Sequence, residues 1–325
     1  MINIEPKVFV GPMSKNVVDA CIEFSNKNNT PLGFIPSRRQ IDYDSGYVNN
    51  WKTESFANYV KKRSKNILIQ RDHGGCNQGD VGDDGFESFL HDAKNFDLIH
   101  IDPFKKSNSL EDGARYTVEV IKRLDAKNCL FEIGTEEALF RMSVDDCRRF
   151  LDLVSSGVGA NLFERVRYFV VQFGTKLDGN KNTGIFDIER AMQMINVCKE
   201  YDKKSKEHNG DYLSKEDVKV RRKLGLEAIN VAPEMGGIES RCIMDQINDD
   251  TNLFNCFVKC CKSTNRWQKW FPYNQNPNEK ELLESCGHYC FSLPEFDELK
   301  NKIDFDVVKR KTFDMIAKRL GDLTQ

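Results

Sequence analysis

The chain has 325 residues, with 48 basic and 50 acidic side chains and a formal net charge of −2. That length suffices for one large core, and the balance of charge excludes the broad basic surface on which nucleic-acid binding depends. No apolar stretch approaches the roughly 20 residues of a membrane helix, and the opening MINIEPKVFVGP lacks a basic segment followed by an apolar run, so neither a membrane partner nor a secretory signal is expected. A soluble, cytoplasmic protein is the expectation. Its eleven cysteines, an odd number spread from Cys21 to Cys290, suit free thiols packed as small apolar groups. Cys256, Cys260, Cys261, Cys286 and Cys290, with His288 nearby, could form a zinc site, although they lack the paired CxxC spacing that marks one strongly.

Short apolar runs alternate with longer amphipathic stretches, the pattern of βα units around a parallel sheet. In chain order the strands are predicted at Val8–Val10, Leu32–Ile35, Asn66–Gln70, Leu98–Ile101, Cys129–Ile133, Tyr168–Gln172 and Ala228–Val231. An eighth fits only at Ser205–His208, a poor strand by composition; with it the count is that of a TIM-type (β/α)₈ barrel, and without it an open α/β sheet is the fallback. Helices are expected at Ser14–Asn29 and Ser143–Ser155, each opening at a potential Ser N-cap, and at Ile188–Lys199 and Lys215–Leu226. The predicted fold is a barrel over residues 1–245. Residues 246–325 form a C-terminal helical extension packed on it, because no Gly/Ser/Pro linker separates the two. Within the extension, Asn265–Glu279 mixes four aromatics, two prolines and four asparagines and reads as an irregular surface segment. Leu293–Leu320 then reads as two helices, the first opening at Pro294.

Barrel enzymes carry their chemistry just past the C-terminal ends of the strands, where loops vary without disturbing the core. The polar residues at those places are Ser37-Arg38-Arg39-Gln40, Asp72-His73-Gly74-Gly75, Asp102, Glu132 with Thr135-Glu136-Glu137, Gln172 with Gly174-Thr175, His208-Asn209-Gly210-Asp211, and Asn230 with Ala232 and Glu234. Two of only five histidines fall there, and convergent His and Glu side chains are suitable ligands for a divalent ion. Such an ion stabilises the enediolate charge of aldol cleavage or epimerisation, while an adjacent Asp moves protons on a substrate oxygen. Each piece also has a bland reading. Asp72-His73 can cap the next helix, His208 can be solvated, Arg38-Arg39 is more often a solvated pair than an anion clamp, and Glu136-Glu137 can simply favour a helix N-terminus. His91 precedes the fourth strand and His100 lies within it; both read as structural.

These motifs, in this order, resemble the class II aldolase superfamily, and most closely the family of the Z subunit of tagatose-bisphosphate aldolase. Gly33–Gly46, Arg71-Asp72-His73-Gly74, Ile99-His100-Ile101-Asp102, Ile133-Gly134-Thr135-Glu136, Val170-Val171-Gln172-Phe173-Gly174, Glu207-His208-Asn209-Gly210-Asp211-Tyr212 and Leu224–Glu234 are similar to that family's successive motifs. Trp267–Tyr273 is similar, more loosely, to its C-terminal extension.

The resemblance implies a divalent-metal site for Zn²⁺, Mn²⁺ or Co²⁺, with His73 and His208 as ligands and Asp72 as the proton-transferring group. Glu136 or Glu132 would be a further ligand or the acid/base at carbon. Ser37, Arg38, Gln40 and Gln172 would face substrate, and Gly174, Gly210, Asn230 and Ala232 would bind its phosphate through backbone N–H groups. Arg71 and Arg39 would add positive charge favouring a phosphorylated or carboxylated substrate. The activity implied is a metal-dependent aldolase or epimerase acting on a phosphorylated or acidic sugar. One departure matters: a typical zinc aldolase has a third histidine where this chain has Gln172. The alternative is therefore a non-catalytic accessory subunit stabilising a partner aldolase; a homo-oligomer fits either reading.

Overall fold

In a computed structural model of the chain the eight apolar runs pair side by side, each parallel to the next, and close on themselves. The structure describes residues 4–79, 82–125, 129–247, 250–271 and 276–325. The strands are β1 (Val8–Val10), β2 (Leu32–Phe34), β3 (Ile67–Gly74), β4 (Leu98–Ile101), β5 (Leu130–Ile133), β6 (Val166–Val171), β7 (Lys204–Glu207) and β8 (Ala228–Val231). Consecutive strands are neighbours throughout, and β1 pairs with β8 through Val8–Ile229 and Val10–Val231, which closes the barrel. The weak strand is real: Lys204–Glu207 pairs with β6 and with β8, and the open-sheet fallback is excluded.

Helices join the strands and cover the outside, with their predicted caps in use. Ser14 accepts a hydrogen bond from the Val17 N–H at the start of Lys15–Asn28, and Ser143 and Asp146 form a reciprocal capping box at the start of Val144–Val158. A two-stranded hairpin (Leu177–Asp178 with Lys181–Asn182) sits between β6 and the helix Ile188–Glu200. The helix after β8 runs Pro233–Ile247, past the residue-245 boundary expected from the sequence.

Beyond it, Thr251–Ser263, Glu279–Cys286 and Pro294–Lys300 surround a separate apolar cluster that contains Cys242, Phe257, Cys260, Cys261, Cys286 and Cys290. The thiols act there as small apolar groups. Trp267, within the stretch read as irregular surface, is buried in the same cluster; residues 272–275 of that stretch, Tyr273 included, lie outside the described residues. The last helix, Phe305–Thr324, packs against Lys15–Asn28 and Pro233–Ile247, so that Ile316, Leu320 and Leu323 join the barrel's own core. Among the described residues no helix is long and apolar enough to cross a membrane.

The barrel interior changes character along its axis. Phe9, Ile35, Leu98, Tyr168 and Ala228 form an apolar plug. Gln70, Glu132, Lys206 and His208, all buried, form a polar layer nearer the strand C-termini. Lys206 donates to Gln70 Oε1 at 2.7 Å, lies 2.8 Å from Glu132 Oε2, and sits 3.4 Å from the centre of the Phe9 ring. The plug fills the interior below the polar layer.

Candidate metal centre at the mouth of the barrel

Strand alternation would send Asp72 and His73 to opposite faces of the sheet. Here the β3–β4 register shifts between Arg71 and Gly74, and His73 takes a left-handed φ of 44°, uncommon for a residue with a Cβ. The bulge turns both side chains to the mouth, in keeping with the habit of bulges near functional sites. Gly74 and Gly75 complete the turn.

Three imidazoles converge there. The ring centres of His73, His100 and His208 form a triangle with sides of 5.0, 5.1 and 5.0 Å. One potential ligand atom from each, with one carboxylate oxygen of Asp72, lie within 4.8 Å of one another. Among the described residues this is the only such group of three or more His, Cys, Asp or Glu side chains, so the Cys256–Cys290 region makes no comparable set. His100, expected to be structural, is thus a member of the cluster. It lies one strand position on from Leu98 of the plug on the same face, and points into the barrel. His91 is not a member; it stacks on Tyr43 at the surface.

Each imidazole is fixed by a partner behind it. His73 Nδ1 is 2.6 Å from Asp102 Oδ2, and His208 Nε2 is 2.7 Å from Glu132 Oε1. His100 Nε2 is 3.1 Å from the Gly134 carbonyl oxygen, while its Nδ1 accepts from the His73 N–H at 3.2 Å. Carboxylate or carbonyl behind an imidazole fixes its orientation and raises its basicity, the usual support of a metal-binding histidine. Burial resists ionisation of Glu132, but Lys206, His100 and His208 outweigh it and hold the carboxyl well below its usual range. Asp102 is likewise kept ionised by His73 and His100 against its burial. Burial drives His100 down to about 4, so it is neutral; its Nε2–H donates to the Gly134 carbonyl, and its Nδ1 lone pair would have to exchange the His73 N–H for an ion. Burial also works against a charge on His73, yet Asp72, Asp102 and Glu136 reverse the balance and raise it to about 10. Three neutral-capable nitrogens suit Zn²⁺, Co²⁺ or Mn²⁺ by donor chemistry, with the Asp72 carboxylate beside them.

The predicted residues divide into those at the cavity and those spent on structure. Ser37, Gln40, Asp72, His73, Glu136 and Ala232 line a cavity of about 490 Å³ above the cluster. Glu136 accepts from the Asn209 amide at 2.5 Å, and Asn230 Nδ2 lies 3.5 Å from Asp72 Oδ1. Of the two glutamates left open by the sequence, Glu136 faces the cavity, and Glu132 lies beneath the histidines as a positioning group.

The corrections follow from hydrogen bonding. Arg38 is buried and ion-paired with Asp42 (2.8 Å) and Asp83, not presented to substrate. Arg71 is fully buried against Asp92. The Gln40 amide is taken up by the Ser37 N–H and Met13. The Gly210 N–H donates to the Asn230 carbonyl and the Ala232 N–H to Asp211, so neither is free for a phosphate. Gly174 (φ 93°) lies under the Ile185 carbonyl, 1.9 Å from where a Cβ would stand.

Gln172 is the most informative correction. Its Oε1 accepts from the Met142 N–H at 3.0 Å, and its Nε2 donates to the carbonyls of Thr135 (3.0 Å) and Phe140 (2.8 Å). It pins the β5–β6 loops, and the third imidazole of the cluster comes instead from His100. Gln172→His, which imitates the typical zinc aldolase pattern, is therefore expected to destabilise the fold by about 1–3 kcal/mol, the cost of orphaning buried polar groups, with no gain in metal affinity. Urea unfolding and metal titration of the variant check this; tighter metal binding would contradict it.

The architecture has known counterparts. A probable tagatose 6-phosphate kinase from Sinorhizobium meliloti 1021 matches with a TM-score of 0.78 at 16% identity, covering 98% of this chain and 99% of that one. The fructose-bisphosphate aldolase of Campylobacter jejuni matches with a TM-score of 0.61 at 13% identity, over 98% and 90% of the two chains. The YdjI aldolase of Escherichia coli K12 gives 0.59 at 12% identity, over 98% and 91%. Likeness at these identities establishes the fold alone, a (β/α)₈ barrel. No protein-family model and no curated protein matches it in sequence.

Proposed function

We propose that the chain is a metal-dependent enzyme that breaks, or breaks and re-forms, a carbon–carbon bond beside the carbonyl of a phosphorylated or acidic sugar, as an aldolase or a sugar epimerase. The observation that carries this reading is the convergence of His73, His100, His208 and Asp72 at the barrel mouth, each imidazole braced from behind. The three imidazoles would hold a divalent cation, which when bound supplies Lewis-acid stabilisation of negative charge on the ketose oxygens. Asp72 accepts the proton of the substrate hydroxyl as the adjacent C–C bond breaks; the bond's electron pair passes into an enediolate on the ketose fragment. Glu136, on the cavity wall, delivers a proton to that carbon in an aldolase. In an epimerase the fragment instead re-adds to the retained aldehyde from its other face, and Asp72 returns its proton. Gln172 gives the accessory-subunit reading no support once a third histidine is present.

The test is turnover. Metal-stripped protein reloaded with Zn²⁺, Mn²⁺ or Co²⁺ is expected to cleave or epimerise at least one member of a panel of ketose phosphates and acidic ketoses, and Asp72→Asn is expected to abolish this while leaving the ion bound. Stoichiometric metal binding with no turnover across the panel would sink the enzymatic reading.

Metal binding should also respond to pH. Because His73 is raised to about 10, the metal-free protein keeps it charged at neutral pH, with Nδ1 against Asp102 and Nε2 on the Asp72 side. Its charge stabilises the metal-free fold fully below the unfolded value of about 6.5, and that contribution is lost as pH rises toward 10. Metal binding requires His73 to give up a proton, so affinity should rise about tenfold per pH unit between pH 6.5 and 8. Calorimetry in two buffers of different ionisation enthalpy should register about one proton released per ion; none released would contradict the assignment.

A further inference from the structure

Two features of the barrel mouth bear on an anionic ligand. At the β8 end, the first turn of the helix Pro233–Ile247 is an anion site by geometry, but a side chain of the protein already fills it. Asp211 Oδ1 accepts from the Ala232 N–H at 2.8 Å and from the Glu234 N–H at 2.9 Å. The Glu234 carboxylate in turn accepts from the Tyr212 N–H and is clasped by Arg319 of the last helix. Asp211 is 1% exposed. A substrate phosphate placed there would meet a buried carboxylate where it needs free donors.

The same cavity is also lined by Arg39 and Lys105, from the β2 and β4 loops, and by Arg266 and Lys269, from the C-terminal extension. Among the described residues none of the four has an acidic side chain within ion-pair distance, although the chain's acids slightly outnumber its bases. Aromatic faces, which orient a cation without neutralising it, support the two from the extension. The Arg266 guanidinium lies 5.1 Å from the Tyr47 ring, and the Lys269 ammonium 4.8 Å from the Trp270 ring and 5.7 Å from Tyr289. Trp270 is itself tied to the Tyr289 hydroxyl at 3.0 Å. Burial, Arg39 and Lys269 push the Lys105 ammonium below its ordinary range, and the nearby Asp102 carboxylate does not offset them.

We infer that these cations hold one terminal anion of the substrate, a phosphate or a carboxylate, and that the helix start filled by Asp211 takes no second anion. The ligand is then a ketose with a single anionic terminus, not a bisphosphate. This rests on the sugar-handling reading above and narrows its substrate class. It also gives the extension a task, because two of the four cations come from it.

The experiment measures dissociation constants of the metal-loaded protein for a neutral ketohexose, its 6-phosphate, its 1,6-bisphosphate and a keto-hexuronate, with metal stoichiometry determined on the same samples. The 6-phosphate or the hexuronate should bind at least about tenfold more tightly than the neutral sugar, as for charge-assisted contacts to several cations, and whichever does so identifies the terminal group. The bisphosphate should bind no tighter than the 6-phosphate. The double variant Arg266→Gln/Lys269→Gln, which touches none of the clustered histidines, should lose the preference and keep the neutral sugar's affinity and the metal. A bisphosphate bound more than about tenfold tighter than the 6-phosphate, an unchanged preference in the double variant, or equal affinity for neutral and charged sugars would overturn the inference. Failure to bind metal would instead count against the metal-dependent reading, and the anion preference would still be read on the same protein.

Discussion

Replacing His100 with glutamine is expected to lower metal affinity about 100-fold or more while leaving the fold close to its original stability. Outer partners of metal ligands cost roughly 10–100-fold when removed, and loss of a direct ligand costs at least as much. Glutamine suits the test because its amide N–H can still serve the Gly134 carbonyl, which His100 Nε2 faces at 3.1 Å, while the imidazole lone pair disappears. His100→Ala removes both and should lose metal and some stability together, since His100 is fully buried and a cavity would form. Cobalt(II) absorption or calorimetry gives affinity, and urea unfolding gives stability. A structural histidine predicts the reverse pattern, with metal binding untouched in the glutamine variant at whatever cost to the fold. That outcome would remove His100 from the cluster and return Gln172 to the position of a missing ligand.

His100 also marks the limit of what the sequence could reveal. In Leu98-Ile99-His100-Ile101 it sits within an apolar run, and an apolar run reads as core. The decisive signal was alternation. Leu98 belongs to the plug inside the barrel, whereas Ile99 and Ile101 pack under the helices, so His100 must point inward, one layer above the plug. The same rule explains the polar strand β7. Lys206 faces the interior and is neutralised by Glu132 from β5, while Glu207 faces outward and meets Arg221 of the following helix at 2.7 Å. Charges compensated from distant positions erase hydrophobicity from a strand without making it exposed, and local composition cannot register that.

Strand order and the placement of Asp72, His73, Glu136 and His208 near one another needed only the rule that barrel loops converge. The commitments of Arg38, Arg71 and Gln172 needed coordinates, because a buried arginine and a site arginine look alike in sequence. The rim cations were hidden for a further reason: Arg266 and Lys269 lie in a stretch whose composition reads as irregular surface, and nothing local says that it folds back over the mouth.

Arg71→Met should be among the most destabilising single changes in the molecule, at about 3–5 kcal/mol, the usual cost of breaking a buried ion pair from one side. Arg71 is fully buried, and its Nε and Nη2 each meet one oxygen of Asp92 at 2.7 Å, a two-pronged pair in which Asp92 is equally buried. Its Nη1 also serves the carbonyls of Pro36 (2.9 Å) and Ile41 (2.7 Å), at the two ends of the loop that carries Ser37 and Gln40 to the cavity. The same Pro36 carbonyl accepts from the Asp72 N–H, so the guanidinium anchors the loop against the bulge that presents Asp72 and His73. Metal affinity should therefore fall with stability, although Arg71 touches no ligand atom.

Two controls separate charge from packing. In the double variant Arg71→Met/Asp92→Leu no charge is left unpaired, and most of the lost stability should return, apart from the share due to the two carbonyls. The second control is pH. Burial already holds Asp92 above its ordinary range against the opposing pull of Arg71, and with Arg71 gone the folded-state value rises further above the unfolded value of about 3.9. A raised carboxyl destabilises as pH climbs through it, so Arg71→Met should lie closer to the parent protein at pH 5 than at pH 7.5. A deficit equal at both pH values, with no recovery in the double variant, would mean that the buried charge is not what Arg71 controls and that its hydrogen bonds to the loop carry the whole effect.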